Sequence, residues 1–185
     1  MAEEPERQAS GVRFRVPGAA EMREFGGRLA GLLRAGDLVV LAGPLGAGKT
    51  TLVQGIGAGL DVRGPITSPT FVIARVHLSL RGGPDLVHAD AYRLGSWLEV
   101  DDLDLDADVG HSVTVVEWGE GLVEGLTAGH LLITIAWAEP NSVRPKATSL
   151  SDEPRMVTLV GHGGRWPAVA GQLRDLATGI AVQLF

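Results

Sequence analysis

The chain has 185 residues, a length typical of one globular domain, and a formal net charge of −6 at pH 7. This acidic balance argues against a basic face that grips a phosphate backbone, although nucleic acid could still be handled indirectly through a partner. The lack of cysteine excludes disulfides, thiolate metal sites and cysteine nucleophiles. Because no apolar run approaches the roughly 20 residues of a membrane span and the polar N-terminus lacks an apolar signal core, we expect a cytoplasmic protein without membrane contacts.

The first predicted elements are a tail, a strand and a helix. Residues 1–11 are polar and contain Glu and Pro, which predicts a disordered tail. Val12–Val16 alternates apolar and basic residues, as expected for a half-buried edge strand. The helix is indicated by apolar residues on one face, spaced i, i+3, i+7 and i+10: Met22, Phe25, Leu29 and Leu32.

A glycine-rich motif follows the next strand. Leu38–Ala42 is a short apolar run typical of a buried parallel strand, and a helical spacing of apolar residues starts from Thr51. The eight residues between them fit the pattern G-x-x-x-x-G-K-[ST]: Gly43, Pro44, Leu45, Gly46, Ala47, Gly48, Lys49 and Thr50. A strand, a glycine loop and a helix in this order predict a P-loop.

The chemistry of this motif follows from its backbone. Glycines let the chain approach an anion, and N–H groups at a helix N-terminus converge on phosphate oxygens. We expect Lys49 to reach the β- and γ-phosphates and the Thr50 hydroxyl to ligate Mg²⁺. The motif therefore predicts a bound nucleoside triphosphate, and the alternative is a glycine-rich turn that fits the pattern by chance.

Further strands follow the P-loop helix. That helix contains glycines at 55, 57 and 59, which either weaken it or allow it to pack closely against the sheet. Four strands are predicted from apolar and β-branched runs: Val72–Leu80, Leu86–Asp90, Val113–Glu117 and Leu131–Trp137. The acid-rich residues 96–109 predict a short acidic helix or a loop over the sheet.

The C-terminal part is expected to pack on the same domain. Residues 139–155 hold three prolines and scattered charge, which indicates a flexible loop or linker. A last strand is predicted at 156–160 and a helix at 168–176, so that 156–185 joins a P-loop domain at 12–138. The predicted fold is α/β, a P-loop NTPase with a mostly parallel central sheet flanked by helices and with antiparallel edge strands.

Two of the predicted strands end in carboxylates, Asp90 and Glu117. Ligands of open α/β sheets lie beyond the carboxyl ends of the strands, so both acids are expected near the γ-phosphate. Glu117 fits the position of a Mg²⁺-holding acid, and Asp90 is a candidate for positioning water or metal. In the loop before them, Thr70 is placed to offer a hydroxyl to Mg²⁺. The alternatives are a helix cap or a solvated acid for each carboxylate, and a simple Ser-Pro-Thr turn for Thr70.

His88 precedes Asp90 by two residues, so both side chains point to the same side of a strand. A metal-binding pair and a packed structural histidine are both compatible with this spacing. Trp118, directly after Glu117, is either partly buried or a wall of the nucleotide site.

Four motifs occur in an order that resembles the TsaE (YjeE) family over about residues 20–137. They are Gly43-x-Leu45-Gly46-Ala47-Gly48-Lys49-Thr50-Thr51, Ser68-Pro69-Thr70-Phe71, His88-x-Asp90-x-Tyr92-Arg93-Leu94 and Glu117-Trp118. The resemblance implies a P-loop fold and an ATPase of tRNA threonylcarbamoyladenosine biosynthesis that works in a complex with TsaB and TsaD. The resemblance further implies that TsaD transfers the threonylcarbamoyl group to tRNA in that complex, and that ATP hydrolysis is expected to reset the complex between turnovers.

The resemblance also implies roles for individual residues. Residues 43–51 and Trp118 are expected to bind ATP, with Lys49, Asp90 and Glu117 as the catalytic set. Mg²⁺ is expected on Thr50 and Glu117, with Thr70 in a switch-like loop. Two positions depart from the family pattern: Pro44 replaces an acid common in relatives, and Met22 replaces a threonine.

Three rival functions are considered. A small GTPase would need an N-K-x-D guanine motif, which the sequence lacks. A nucleoside or small-molecule kinase would need an arginine-rich lid, whereas residues 95–110 are acidic. The third is a nucleotide-dependent binding module without significant hydrolysis.

Overall fold

The computed structural model describes residues 11–70, 73–92, 110–138 and 153–185. Several sequence-based predictions concern segments outside these described residues: the tail at 1–10, the acidic segment at 96–109, the loop at 139–152, and Phe71 and Arg93 of the motifs. The described residues contain no helix long and apolar enough to cross a membrane.

Eight strands and three α-helices make up the described part of the chain. In chain order they are β1 (Val12–Val16), α1 (Ala19–Ala30), β2 (Leu38–Ala42), α2 (Lys49–Gly59), β3 (Ala74–His77), β4 (Asp85–Asp90), β5 (Ser112–Glu117), β6 (Gly129–Trp137), β7 (Arg155–Gly163), α3 (Ala170–Arg174) and β8 (Gln183–Leu184). Short 3₁₀ turns precede and follow α3.

All eight strands form one mixed sheet in the order β3-β4-β5-β2-β6-β7-β1-β8. The central strands β4, β5, β2 and β6 are parallel, and antiparallel strands flank them on both sides. The structure confirms the predicted α/β fold with a parallel centre and antiparallel edges. The antiparallel part of the sheet is larger than expected. Its strands β7 and β1 bury alternate residues, which is typical of antiparallel strands that face the core on one side.

The element boundaries differ from the prediction at several places. Of the strand expected at 72–80, residue 72 lies outside the described residues, and among 73–80 the strand is regular over Ala74–His77, with a bridge from Val62 to Ser79. β7 is nine residues long rather than five, because it pairs with β6 along its whole length. The helix expected at 168–176 is broken into α3 and two 3₁₀ turns. β7 pairs with both β6 and β1. The domain boundaries given from the sequence stay a prediction.

Close packing against the sheet, one of the two alternatives for the glycines of α2, is wrong: Gly55 and Gly59 face α1, and Gly57 faces Val62 and Ile66 of the segment after α2. A Cβ on Gly55 would lie 2.1 Å from the Arg23 carbonyl oxygen, and one on Gly59 would lie 2.6 Å from the Gly27 oxygen. Gly26 of α1 makes the reciprocal close approach to α2. The helices therefore touch backbone to backbone, which only residues without a Cβ allow.

Candidate functional site

The P-loop begins where β2 ends in the middle of the sheet. β2 is buried along its whole length between β5 and β6. Gly43 has φ +139°, and a Cβ there would lie 2.2 Å from the Ile135 carbonyl oxygen. Gly48 has φ +107° and caps the N-terminus of α2. Glycine is therefore required at both ends of the loop, which places the loop backbone around the first turn of α2.

Lys49 is folded back onto the loop. Its Nζ donates hydrogen bonds to the carbonyl oxygens of Gly43 at 2.8 Å and Pro44 at 3.0 Å. The same atom lies 3.7 Å from the centroid of the Trp118 ring. Burial lowers the pKa of Lys49, and the nearby carboxylates of Glu117 and Asp90 oppose this shift. An incoming anion would favour the charged form of this amine.

Glu117 ends β5 and lies beside the first turn of α2. The carboxylate is buried, and its Oε1 accepts hydrogen bonds from Thr50 Oγ1 at 2.8 Å and His88 Nε2 at 2.9 Å. Thr50 and Glu117, which the sequence nominated together for Mg²⁺, are thus in direct contact. His88 is fully buried and has Glu117 as its partner, rather than Asp90.

Asp90 ends β4 and pairs in register with Glu117 on the neighbouring strand. Its Oδ2 accepts hydrogen bonds from Thr70 Oγ1 at 2.5 Å and Ser68 Oγ at 3.3 Å, and its Oδ1 accepts the Tyr92 N–H at 2.9 Å. Thr70 therefore meets Asp90, whereas Thr50 meets Glu117. Ser68 was not nominated as a site residue, although its place in the Ser-Pro-Thr motif was a usable signal.

Trp118 forms one wall of the site. Its backbone has φ +61°, a left-handed conformation that is rare for a bulky residue and needs support from its surroundings. The support comes from a hydrogen bond between its N–H and the Leu41 carbonyl oxygen at 2.9 Å. On its other side the Tyr92 ring lies 5.2 Å away, centroid to centroid.

These groups surround one open pocket of about 270 Å³. Its lining residues are Leu45, Gly46, Gly48, Lys49, Thr50, Thr51, Ser68, Thr70, Asp90, Glu117 and Trp118. Of the predicted site residues, only Gly43, Pro44 and Ala47 are not in this lining. They nevertheless belong to the loop, and two of them supply the carbonyls that hold Lys49.

A second cavity of about 220 Å³ adjoins the P-loop. It shares Gly46, Gly48 and Thr51 with the first pocket. The remaining walls come from Ala47 of the loop and from residues at the start of α1 and β7: Gly18, Ala19, Met22, Glu153 and Arg155. The C-terminal contribution to this cavity was not predicted, because no motif of the sequence includes Glu153 or Arg155.

The oxygen ligands of the first pocket suit a hard cation such as Mg²⁺. Within the described ranges, no group of three or more His, Cys, Asp or Glu side chains could hold a metal ion. The contact between the Thr50 hydroxyl and the Glu117 carboxylate offers only two protein oxygens. This small number fits a metal that keeps its waters and binds substrate phosphates.

Residues 16–145 match the family model for the threonylcarbamoyl adenosine biosynthesis protein TsaE. The chain belongs to the TsaE family. A TsaE protein of Streptomyces coelicolor is 60% identical over 146 residues, which cover 78% of this chain and 93% of the relative. The TsaE protein of Bacillus subtilis is 31% identical over 163 residues, which cover 88% of this chain and 93% of the relative.

The crystal structure of Bacillus subtilis YdiB has a similar fold. Its TM-score is 0.68 at 26% sequence identity, and the alignment covers 91% of this chain and 97% of YdiB. The family assignment confirms the resemblance that the four motifs indicated. The TsaE model ends at residue 145, so Glu153 and Arg155 of the second cavity lie beyond it.

Proposed function

We propose that this TsaE-family protein binds and hydrolyses ATP with Mg²⁺, in support of tRNA threonylcarbamoyladenosine biosynthesis. The observation that carries the proposal is the convergence of four side chains on one pocket at the P-loop: Lys49, Thr50, Asp90 and Glu117. A lysine, a hydroxyl and two carboxylates from separate elements are the parts that a P-loop nucleotidase needs.

The pocket geometry suggests an orientation for ATP. The loop N–H groups and Lys49 would hold the phosphates, and the two carboxylates would lie at the γ-phosphate end. The second cavity shares Gly46, Gly48 and Thr51 with this pocket, so it is the natural place for the nucleoside. The side chain of Met22 in this cavity would then face the nucleoside.

Thr50 and Glu117 would hold the metal, because their oxygens already meet at the start of α2. When bound, Mg²⁺ would neutralise charge on the β- and γ-phosphate oxygens. Glu117 is kept in place by His88, and the hydroxyl of Thr50 can donate to the carboxylate while offering its lone pair to a cation.

Asp90 is proposed to orient the water that attacks the γ-phosphate. A buried carboxylate that accepts three hydrogen bonds has a defined direction, which positioning a nucleophile requires. Thr70 donates a hydrogen bond to Asp90 Oδ2 and would therefore couple the loop before β3 to the positioning of the water.

TsaB and TsaD are the proposed partners, as the family resemblance implies. With a net charge of −6, the chain is proposed to reach tRNA only through that complex. We expect weak ATPase activity for the protein alone and a higher rate after the addition of TsaB and TsaD.

Steady-state phosphate release with and without the two partners tests this proposal. Lys49→Ala should abolish ATP binding in titration calorimetry, because it removes the buried cation of the phosphate site. Arg81→Ala is the control, since Arg81 is exposed and forms an ion pair with Asp61, away from the P-loop. ATP binding without phosphate release in the complex would indicate a binding module, and transfer of phosphate to a nucleoside would indicate a kinase.

A further inference from the structure

Arg155 connects the C-terminal strand β7 to the P-loop. Its side chain is almost fully buried, at 5% exposure, and its Nε donates a hydrogen bond to the Ala47 carbonyl oxygen at 3.1 Å. The two residues are 108 positions apart in the chain. Arg155 also lies ten residues beyond the end of the family model, at residue 145, so the four motifs do not include it.

The guanidinium group has little freedom to move. It stacks on the ring of Trp137, 3.6 Å from the centroid, and Trp137 is its register partner on β6. Its Nη1 also donates to the Glu153 carbonyl oxygen. A planar group held on its face and at its edge directs its Nε–H along a fixed line toward Ala47.

The hydrogen bond determines how one peptide group of the loop is oriented. In a trans peptide the C=O and N–H bonds point in opposite directions. Holding the Ala47 oxygen toward Arg155 therefore turns the Gly48 N–H away from Arg155. Gly48 lines both cavities and Arg155 lines only the second, so we expect this N–H to face the first pocket. Gly48 has φ +107° and is a glycine, so its own backbone would not prevent this peptide from flipping.

We infer that Arg155 is a positioning residue that keeps the Ala47–Gly48 peptide in its anion-binding orientation. A flipped peptide would present a carbonyl oxygen to the phosphates and remove one N–H donor. This inference rests on the proposed function, since it requires that the P-loop binds phosphates. It assigns to β7 a part in the site that comes from outside the family motifs.

Arg155 also lines the second cavity, where a direct contact with the nucleoside is the competing explanation. The two roles differ in the ligand they affect. If Arg155 only orients a peptide group that contacts the phosphates, its substitution changes the affinity for ATP and the affinity for inorganic tripolyphosphate by the same factor. A nucleoside contact changes the binding of ATP alone.

The experiment measures both ligands by titration calorimetry with Mg²⁺ on the full chain. Arg155→Ala should weaken ATP and tripolyphosphate equally, by about tenfold, the loss expected for one hydrogen bond from a charged donor. Arg155→Lys, which keeps a donor near the Ala47 oxygen, should recover part of both affinities and remains available if the alanine variant does not fold. Thermal unfolding without ligand reports on the fold of each variant.

Arg165→Ala is the matched control. Arg165 also stacks on a tryptophan, Trp166, but its hydrogen bonds go to Asp37 and Leu32. We expect it to lower the unfolding temperature and to leave both affinities unchanged. Equal losses in the Arg155 variants support the inference, whereas unchanged affinities or a loss for ATP alone would overturn it. If the unaltered protein binds neither ligand, the proposed function itself fails.

Discussion

The two carboxylates of the site are alike in burial and position but differ in what holds them. Glu117 and Asp90 are both nearly inaccessible and end neighbouring parallel strands. Glu117 is hydrogen-bonded by Thr50 of α2 and His88 of β4, two residues within regular elements. Asp90 is hydrogen-bonded by Ser68 and Thr70, which belong to the loop before β3.

The loop that holds Asp90 is itself strained. Ile73, just before β3, has φ +70°, an outlier for a β-branched residue. Its carbonyl accepts the Asp90 N–H at 2.8 Å, and its own N–H donates to the Pro69 carbonyl at 2.7 Å. Trp118, next to Glu117, also has a positive φ, but the partners of Glu117 lie in regular elements. We therefore expect the surroundings of Glu117 to be formed before nucleotide binds, and those of Asp90 to respond to the nucleotide.

The largest effect is expected from Glu117→Ala. This change removes the carboxylate proposed to hold Mg²⁺ and leaves the buried His88 without its partner. The rate of phosphate release should fall by about 10³-fold, in the range seen when a preorganised electrostatic group is lost. Because the proposed role of Glu117 is to hold the metal, a large excess of Mg²⁺ should restore part of the rate. A variant with an unchanged rate and an unchanged Mg²⁺ requirement would contradict this role.

Asp90→Asn should have the next largest effect. The amide retains the size and part of the hydrogen bonding of the carboxylate but cannot accept a proton from water, so turnover should fall by about 10²-fold. The affinity for ATP should change little, because Asp90 is not proposed to hold the phosphates. Asp85→Asn is the control, at the first residue of the same strand. A normal rate within the complex would remove Asp90 from the catalytic set.

The smallest effect is expected from His88→Gln. Glutamine can still donate to Glu117 but with less fixed geometry, so half-saturation by Mg²⁺ should need about tenfold more metal. Affinity for nucleotide without metal should be unchanged. His77→Gln is the control, because His77 is a buried histidine of β3 that contacts the Arg63 carbonyl instead of a carboxylate. Equal metal requirements in the two variants would give His88 a structural role only.

Much of the fold and of the site could be predicted from local patterns. The P-loop follows from one strand, one glycine motif and one helix that are contiguous in the chain. The carboxylates at the ends of β4 and β5 could be placed near it because parallel strands end at the same edge of a sheet. Whether a segment forms a strand or a helix depends on its local pattern of apolar residues, so it could be predicted. The family resemblance could be recognised because the four motifs occur in a fixed order along the chain.

The tertiary structure alone decided which groups touch. Thr50 meets Glu117 across 67 positions and Arg155 meets Ala47 across 108, and both contacts depend on strand order and register. No local pattern encodes such a pairing, because a shift of one residue in register would turn each side chain to the opposite face. For the same reason the sequence located the glycines of α2 but not their contact with α1. The sequence alone thus determined which residue types lie at the site, and packing over long chain distances decided which of them touch.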